Sequence, residues 1–178
     1  MKLIKANTSQ QYRRIKNVYQ SSFPKYEKKP FWLIKQKQKQ GLVDIWELSD
    51  GGEFIGLAII MKAKDLVLLD YFAIAEDKRA SGYGSKALSC LQEYYKKNRF
   101  FLEIESTHGK AENQKQREQR KSFYLGNQMT EIGIIVDVFG TEMEVLGYEC
   151  SLDFAEYKSV YEVVYGTGKA KKLRLISE

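Results

Sequence analysis

The chain of 178 residues contains two cysteines, one histidine and two prolines. Cys90 and Cys150 cannot make a disulfide framework, and no CxxC pair points to zinc. With His108 the single histidine, neither a His-rich metal site nor a His-centred triad is expected. No apolar run approaches the roughly 20 residues of a membrane span. The start, Met1-Lys2-Leu3-Ile4-Lys5, lacks the longer apolar stretch of a signal peptide. These absences predict a reduced, cytoplasmic protein with no metal and no membrane association. Apolar residues at 43% and aromatics at 13% exclude global disorder, and the length suits one domain with a real core.

The net charge of +6 invites a nucleic-acid reading until its distribution is seen. Residues 1–40 carry eleven basic side chains and one acid, Glu27, whereas residues 41–165 carry fourteen basic and twenty-one acidic. The stretch 166–178 is basic again. Only seven of the 29 basic residues are arginines, and base-edge readout leans on arginine forks. Nucleic acid is therefore not the expected partner.

No internal repeat and no Pro/Gly/Ser linker divides the chain. Residues 3–6 read as a short strand. Thr8 or Ser9 caps a helix with apolar Tyr12, Ile15, Val18 and Tyr19, broken at Ser21-Ser22-Phe23-Pro24. A second helix spans about 30–39, stopping at Gly41. Strands at 43–48 and 54–61 flank Asp50-Gly51-Gly52. The almost wholly apolar run 66–74 reads as a strand covered on both faces. A polar loop, 75–81, leads into a helix over 82–97 with a buried stripe of Ala87, Leu88, Leu91, Tyr94 and Tyr95. Then come a strand at 100–105, parallel to 66–74 because a helix joins them, and a charged helix at 112–125. Strands at 130–139 and 142–150 follow, and a last helix runs from Ser151 or Asp153 to Gly166, with Glu156 as capping-box partner. The order is mixed α/β.

The informative segment is Arg79-Ala80-Ser81-Gly82-Tyr83-Gly84, which follows a buried strand and opens a helix. A helix start exposes unpaired N–H groups and the positive dipole end, which suits a pyrophosphate. Gly82 and Gly84 keep side chains out of the way of phosphate oxygens, and Lys78 and Arg79 add charge. The alternative is a tight turn into a well-packed helix. The third glycine of a dinucleotide fingerprint and the Gly-Lys-Ser of a Walker loop are both missing.

The stretch from Phe72 to Leu88 resembles the acyl-CoA motif of the GNAT (GCN5-related) N-acetyltransferase superfamily: an apolar strand end, a short polar loop, R-x-x-G-x-G, then an amphipathic helix. The resemblance extends over the order of elements to about residue 150. It implies a mixed α/β fold whose central, mostly antiparallel, twisted sheet is splayed between strands 4 and 5 and flanked by helices. It implies one acyltransferase domain over 1–165, with 166–178 a basic tail. Acetyl-CoA would be the cosubstrate. Lys78, Arg79, Ala80, Ser81, Gly82, Tyr83, Gly84 and Ser85 would hold its pyrophosphate. Phe72, Ala73 and Ile74 would pair with its pantetheine arm. Tyr124 matches a family tyrosine near the CoA sulfur and would protonate the leaving thiolate. Arg117 stands where the family often has asparagine, seven residues earlier.

Base candidates are Asp70 and Glu103, with Glu105 on the same strand face as Glu103. A carboxylate in an apolar strand is near a cleft or paired, because isolated burial is costly. His108 could serve as base or be an exposed turn residue. On the acceptor side, Phe23, Glu27 and Phe31, together with Glu105, would meet a small-molecule or peptide amine. The overall expectation is acetyl transfer from acetyl-CoA to a primary amine by direct attack. The alternative is a non-catalytic member that senses CoA or binds a macromolecule. A homodimer through C-terminal aromatics is left open.

Overall fold

The computed structural model describes residues 1–177. Among them the strands are β1 (Lys2–Lys5), β2 (Val43–Asp50), β3 (Glu53–Ala63), β4 (Leu66–Ile74), β5 (Arg99–Glu105), β6 (Met129–Val138), β7 (Thr141–Tyr148) and β8 (Arg174–Ser177). The helices are α1 (Ser9–Ser22), α2 (Phe31–Lys39), α3 (Tyr83–Tyr94), α4 (Gln114–Leu125), α5 (Phe154–Tyr165) and α6 (Thr167–Ala170). The strands are hydrogen-bonded in the order β1-β2-β3-β4-β5-β7-β6-β8. The sheet is mixed and mostly antiparallel, with β4 and β5 parallel, as the apolar run and its following helix predict. The chain forms two compact units, Met1–Met61 with Leu69–Tyr94, and Lys62–Leu68 with Tyr95–Glu178.

In the first unit, α1 starts at Thr8. Its side chain accepts from Gln11 N–H while the Gln11 side chain reaches back, so two otherwise unpaired amides are satisfied. Ile15 and Tyr19 are its buried positions, and Ile34 anchors α2. The β2–β3 hairpin turns on Gly51 and Gly52, both at positive φ, as a two-residue turn of that twist requires. Strand β2 is buried at seven consecutive positions instead of alternating. Its two buried carboxylates are neutralised there, Asp44 by Lys5 at 2.6 Å and Glu47 by Arg14 at 2.9 Å.

Helix α3 stops at Tyr94, short of the predicted 97, and Tyr94 is a correction to its predicted stripe. It is 59% exposed and rests edge-on against Trp46. Tyr95, one residue later, takes the buried position, while Gln92 joins the covered face.

In the second unit, β7 lies between β5 and β6, antiparallel to both, pairing Phe100 with Tyr148 and Met129 with Tyr148. The β6–β7 turn is Phe139-Gly140, both at positive φ. Asp153 and Glu156 form the predicted capping box of α5. Tyr157, Val160, Tyr161 and Val164 of that helix are buried. Residues 166–177, set apart by charge, are folded: α6 buries Ala170, and β8 pairs with β6. No helix among the described residues is long and apolar enough to cross a membrane.

Candidate active site

The glycine loop takes the shape its sequence asks for. After β4 a 3-10 turn, Glu76–Lys78, leads to Ala80 at φ +59 and Gly82 at φ +74, and α3 begins at Tyr83. The first helical bond runs from Lys86 N–H to Gly82 C=O. Upstream of it the amides of residues 80–85 donate to no acceptor among the described residues, leaving six N–H groups gathered at a helix start. A left-handed conformation costs a non-glycine residue such as Ala80 about 1 kcal/mol or more.

The two basic side chains of the loop have other contacts as well. Lys78 Nζ lies 2.7 Å from Glu53, a bond that holds its ammonium above its ordinary pKa. Arg79 folds back, its Nε donating to the Ile74 carbonyl at 3.2 Å. The main chain's amides thus outnumber its free charges as anion donors.

At the end of β4 the backbone of β3 comes unusually close. A Cβ on Gly56 would lie 2.2 Å from the Ala73 carbonyl oxygen, so only glycine fits there. Ala75 N–H donates to Ile55 C=O at 2.9 Å beside it. Gly56 therefore sets the course of Phe72-Ala73-Ile74 into the loop.

In the same unit, Asp70 lies 3% exposed on β4, with Lys29 Nζ 2.7 Å from Oδ1. Its other oxygen, Oδ2, is buried with no hydrogen-bond partner among the described residues. Tyr71, the next residue, donates to the Glu27 carbonyl at 2.7 Å and accepts from Lys29 N–H. Phe23 and Phe31 both contact the Tyr19 ring, and Phe23 also meets Tyr71. Three predicted residues, Asp70, Phe23 and Phe31, thus converge on one aromatic cluster, and Glu27 joins it through its carbonyl. Trp32 is largely exposed. Lys29, Tyr19 and Tyr71 escape sequence reasoning: one lysine among 22, a tyrosine on a helix's apolar stripe and one in an apolar strand carry no local mark of a polar role.

The second unit holds the other candidates. Both Glu105 oxygens are occupied, by Arg117 at 2.9 Å and Arg120 at 3.1 Å, with Asn113 nearby. Glu105 thereby fastens α4 to β5, which takes up the charge that the sequence reading offers to an acceptor. Glu103 accepts from the Tyr157 and Tyr161 hydroxyls of α5. Tyr124 is buried near the end of α4, and burial pushes its phenol pKa up to about 12, with Arg120 pulling slightly the other way. His108 is mostly exposed, 3.9 Å from Glu144. Glu144 also meets Lys121 and Thr107. No cluster of His, Cys, Asp and Glu among the described residues has the makings of a metal site.

A family model described as the GNAT acetyltransferase family matches residues 12–117. A search of curated protein sequences finds no match. Among solved structures, one described as a GNAT-family acetyltransferase from Bacteroides thetaiotaomicron superposes with TM-score 0.76 at 19% identity, over 94% of this chain and 99% of that one. An aminoglycoside 6'-N-acetyltransferase complexed with coenzyme A gives 0.65 at 10% identity, covering 86% and 100%. The ribosomal-protein-S18-alanine N-acetyltransferase of Escherichia coli gives 0.62 at 15%, covering 85% and 95%. At such identities the structural likeness establishes the fold.

Proposed function

The chain belongs to the GNAT acetyltransferase family, whose model spans more than half of it, and from that premise we propose that it moves an acetyl group from acetyl-CoA to a primary amine. The observation that carries this reading is the set of six unpaired amides at residues 80–85. They fit a pyrophosphate, because anion binding needs converging N–H groups and a helix dipole more than side-chain charge. Arg79 and Lys78 would flank them, and the exposed glycine at 82 leaves room for phosphate oxygens. Backbone groups of Phe72, Ala73 and Ile74 would align the pantetheine arm beside β4, held on course by Gly56.

Acetyl-CoA supplies an acyl group activated as a thioester. The chain's own part is to hold donor and acceptor together, which removes the entropic cost of their meeting. The amine nitrogen forms a bond to the carbonyl carbon, the carbon–sulfur bond breaks, and the nitrogen loses a proton. Asp70 or Glu103 would receive that proton. Tyr124 would give one to the leaving sulfur, and its raised pKa keeps the phenol protonated and ready to donate. Phe23, Glu27 and Phe31 would border the acceptor.

Calorimetric titration with acetyl-CoA tests the reading, and no heat at about 1 mM ligand would overturn it. Release of free thiol across a panel of amines then tests transfer. Bound acetyl-CoA without transfer to any amine would make the chain a CoA sensor.

A further inference from the structure

Four carboxylates of this chain, besides Asp70 and the Lys5-paired Asp44, are little exposed and have both oxygens held. Arg14 forks onto Glu47 at 3.1 and 2.9 Å. Tyr157 and Tyr161 take one oxygen each of Glu103. Arg117 and Arg120 divide Glu105. Thr107 and Lys121 do the same for Glu144. That is how little-exposed carboxylates are normally satisfied, because a buried oxygen without a donor costs free energy. Asp70 departs from the pattern. Its side chain is 3% exposed, yet Lys29 meets Oδ1 alone and Oδ2 has no partner among the described residues.

The group that meets Oδ1 is a lysine ammonium, a point charge on a flexible stem, and no arginine fork is present to grip both oxygens. It arrives on the segment between α1 and α2, outside either helix. That segment is fastened by its backbone: Tyr19 donates to Lys29 C=O at 3.0 Å, and Tyr71 bridges Lys29 N–H and Glu27 C=O. The backbone of the segment is therefore held independently of the Lys29 side chain, which is 19% exposed. Its ammonium also lies 5.1 Å from the Tyr71 ring centre. A carboxylate with one unpartnered oxygen beside an aromatic face is a site for an organic ammonium ion. Asp70 precedes Phe72 by two residues, about 7 Å along the strand and on the same side of it.

We infer that Asp70 is the subsite for the acceptor's ammonium group, that Lys29 fills it as a resident stand-in, and that the acceptor displacing Lys29 is an unbranched primary alkylamine of the lysine or polyamine kind. The inference rests on the transferase reading for the word acceptor, but the cation subsite itself does not need it. Lys29 is then a built-in competitor, and acceptor binding is coupled to its release.

The probe is n-butylammonium, which reproduces the Lys29 side chain without its backbone. In the full chain carrying Lys29→Met, ligand-observed NMR should show butylammonium binding about tenfold tighter than in the wild type, one charge-assisted bond being regained. Adding Asp70→Asn should abolish that gain. Equal affinities in the wild type and in Lys29→Met overturn the inference. Should Lys29→Met fail to fold, the wild type decides. Acetylation of Lys29 by an amine-reactive ester, measured against exposed Lys39 by mass spectrometry, should rise several-fold as butylammonium is added. Tetramethylammonium, with no N–H to donate, should raise the ratio less than butylammonium does. A constant ratio with butylammonium overturns the inference. Calorimetry with acetyl-CoA separates the two readings. Displacement of Lys29 with no acetyl-CoA binding keeps the cation subsite and removes the transferase, and acetyl-CoA binding with no displacement does the reverse.

Discussion

Replacing Gly56 by alanine should damage cofactor handling from a position with no ionisable or nucleophilic atom. The added methyl would lie 2.2 Å from the Ala73 carbonyl oxygen and 3.0 Å from Ile74 Cα. Carbon and oxygen tolerate about 3.3 Å, so the end of β4 must move by about 1 Å. Both contacts are backbone, so no rotamer change relieves them. Overpacking of this kind costs about 1–3 kcal/mol, which with a urea m-value near 2 kcal/mol/M lowers the unfolding midpoint by about 1 M. The larger effect belongs to function. A shift of about 1 Å in the segment Phe72-Ala73-Ile74, which would align the thioester, should lower turnover about 100-fold. The assay pairs urea unfolding with acetyl-CoA calorimetry and thiol release. Gly168→Ala is the control, because its Cβ meets nothing within 4 Å. A Gly56→Ala protein with the wild-type midpoint, acetyl-CoA affinity and turnover would refute the reasoning.

At Gly82 the balance is reversed. Its φ is +74 and an added Cβ meets nothing within 4 Å, so Gly82→Val should cost about 1–2 kcal/mol of folding, seen in urea midpoints, but weaken acetyl-CoA binding by more than that, seen by calorimetry. Tyr124, with its pKa pushed up to about 12, should stay protonated through the range in which turnover is measured; a Tyr124→Phe enzyme should then lose turnover without moving the pH–rate profile below pH ~10, and unchanged turnover would remove the acid role. Arg117→Met leaves Glu105 buried with Arg120 as its remaining guanidinium, and the melting experiment should show a loss of about 3 kcal/mol, the low end for breaking a buried pair. For Glu144, burial alone would raise the pKa, but its bonds from Lys121 and Thr107 outweigh burial and hold it below the ordinary carboxylate value. Its contribution to stability is therefore full above about pH 4.3, the unfolded value, and declines as pH falls through the lower folded one. A Glu144→Gln chain should show a shallower acid loss in pH-dependent unfolding.

Wherever a residue's role depends on its near neighbours in sequence, that role was readable. Strand β4 is predicted at the residues where it occurs, 66–74, because an unbroken apolar run has one use in a mixed α/β chain. The Asp153–Glu156 capping box and the Gly51-Gly52 turn need only three or four residues to declare themselves. The glycine loop belongs to this group in part, since the unpaired amides of residues 83–85 follow from helix geometry alone. Side chains that find partners across the fold were opaque. Glu103 and Glu105 look alike as alternate residues of one strand, yet one is bound by phenols of α5 and the other by guanidiniums of α4. No periodicity distinguishes them, because the partners lie 12–58 residues away. Lys78 was read as cofactor charge, and its pairing with Glu53 depends on the β2–β3 hairpin bringing that residue up to the loop. Gly56 sits between these cases. A glycine inside an apolar strand announces a close approach, but only the ladder reveals that the approaching backbone is Ala73. Asp70 follows the same rule: its sequence position marks a carboxylate needing a partner, and that partner, Lys29, lies 41 positions away in the chain. A carboxylate half-satisfied by so distant a lysine is the kind of feature that local sequence cannot encode, and it is where the acceptor's chemistry is to be sought.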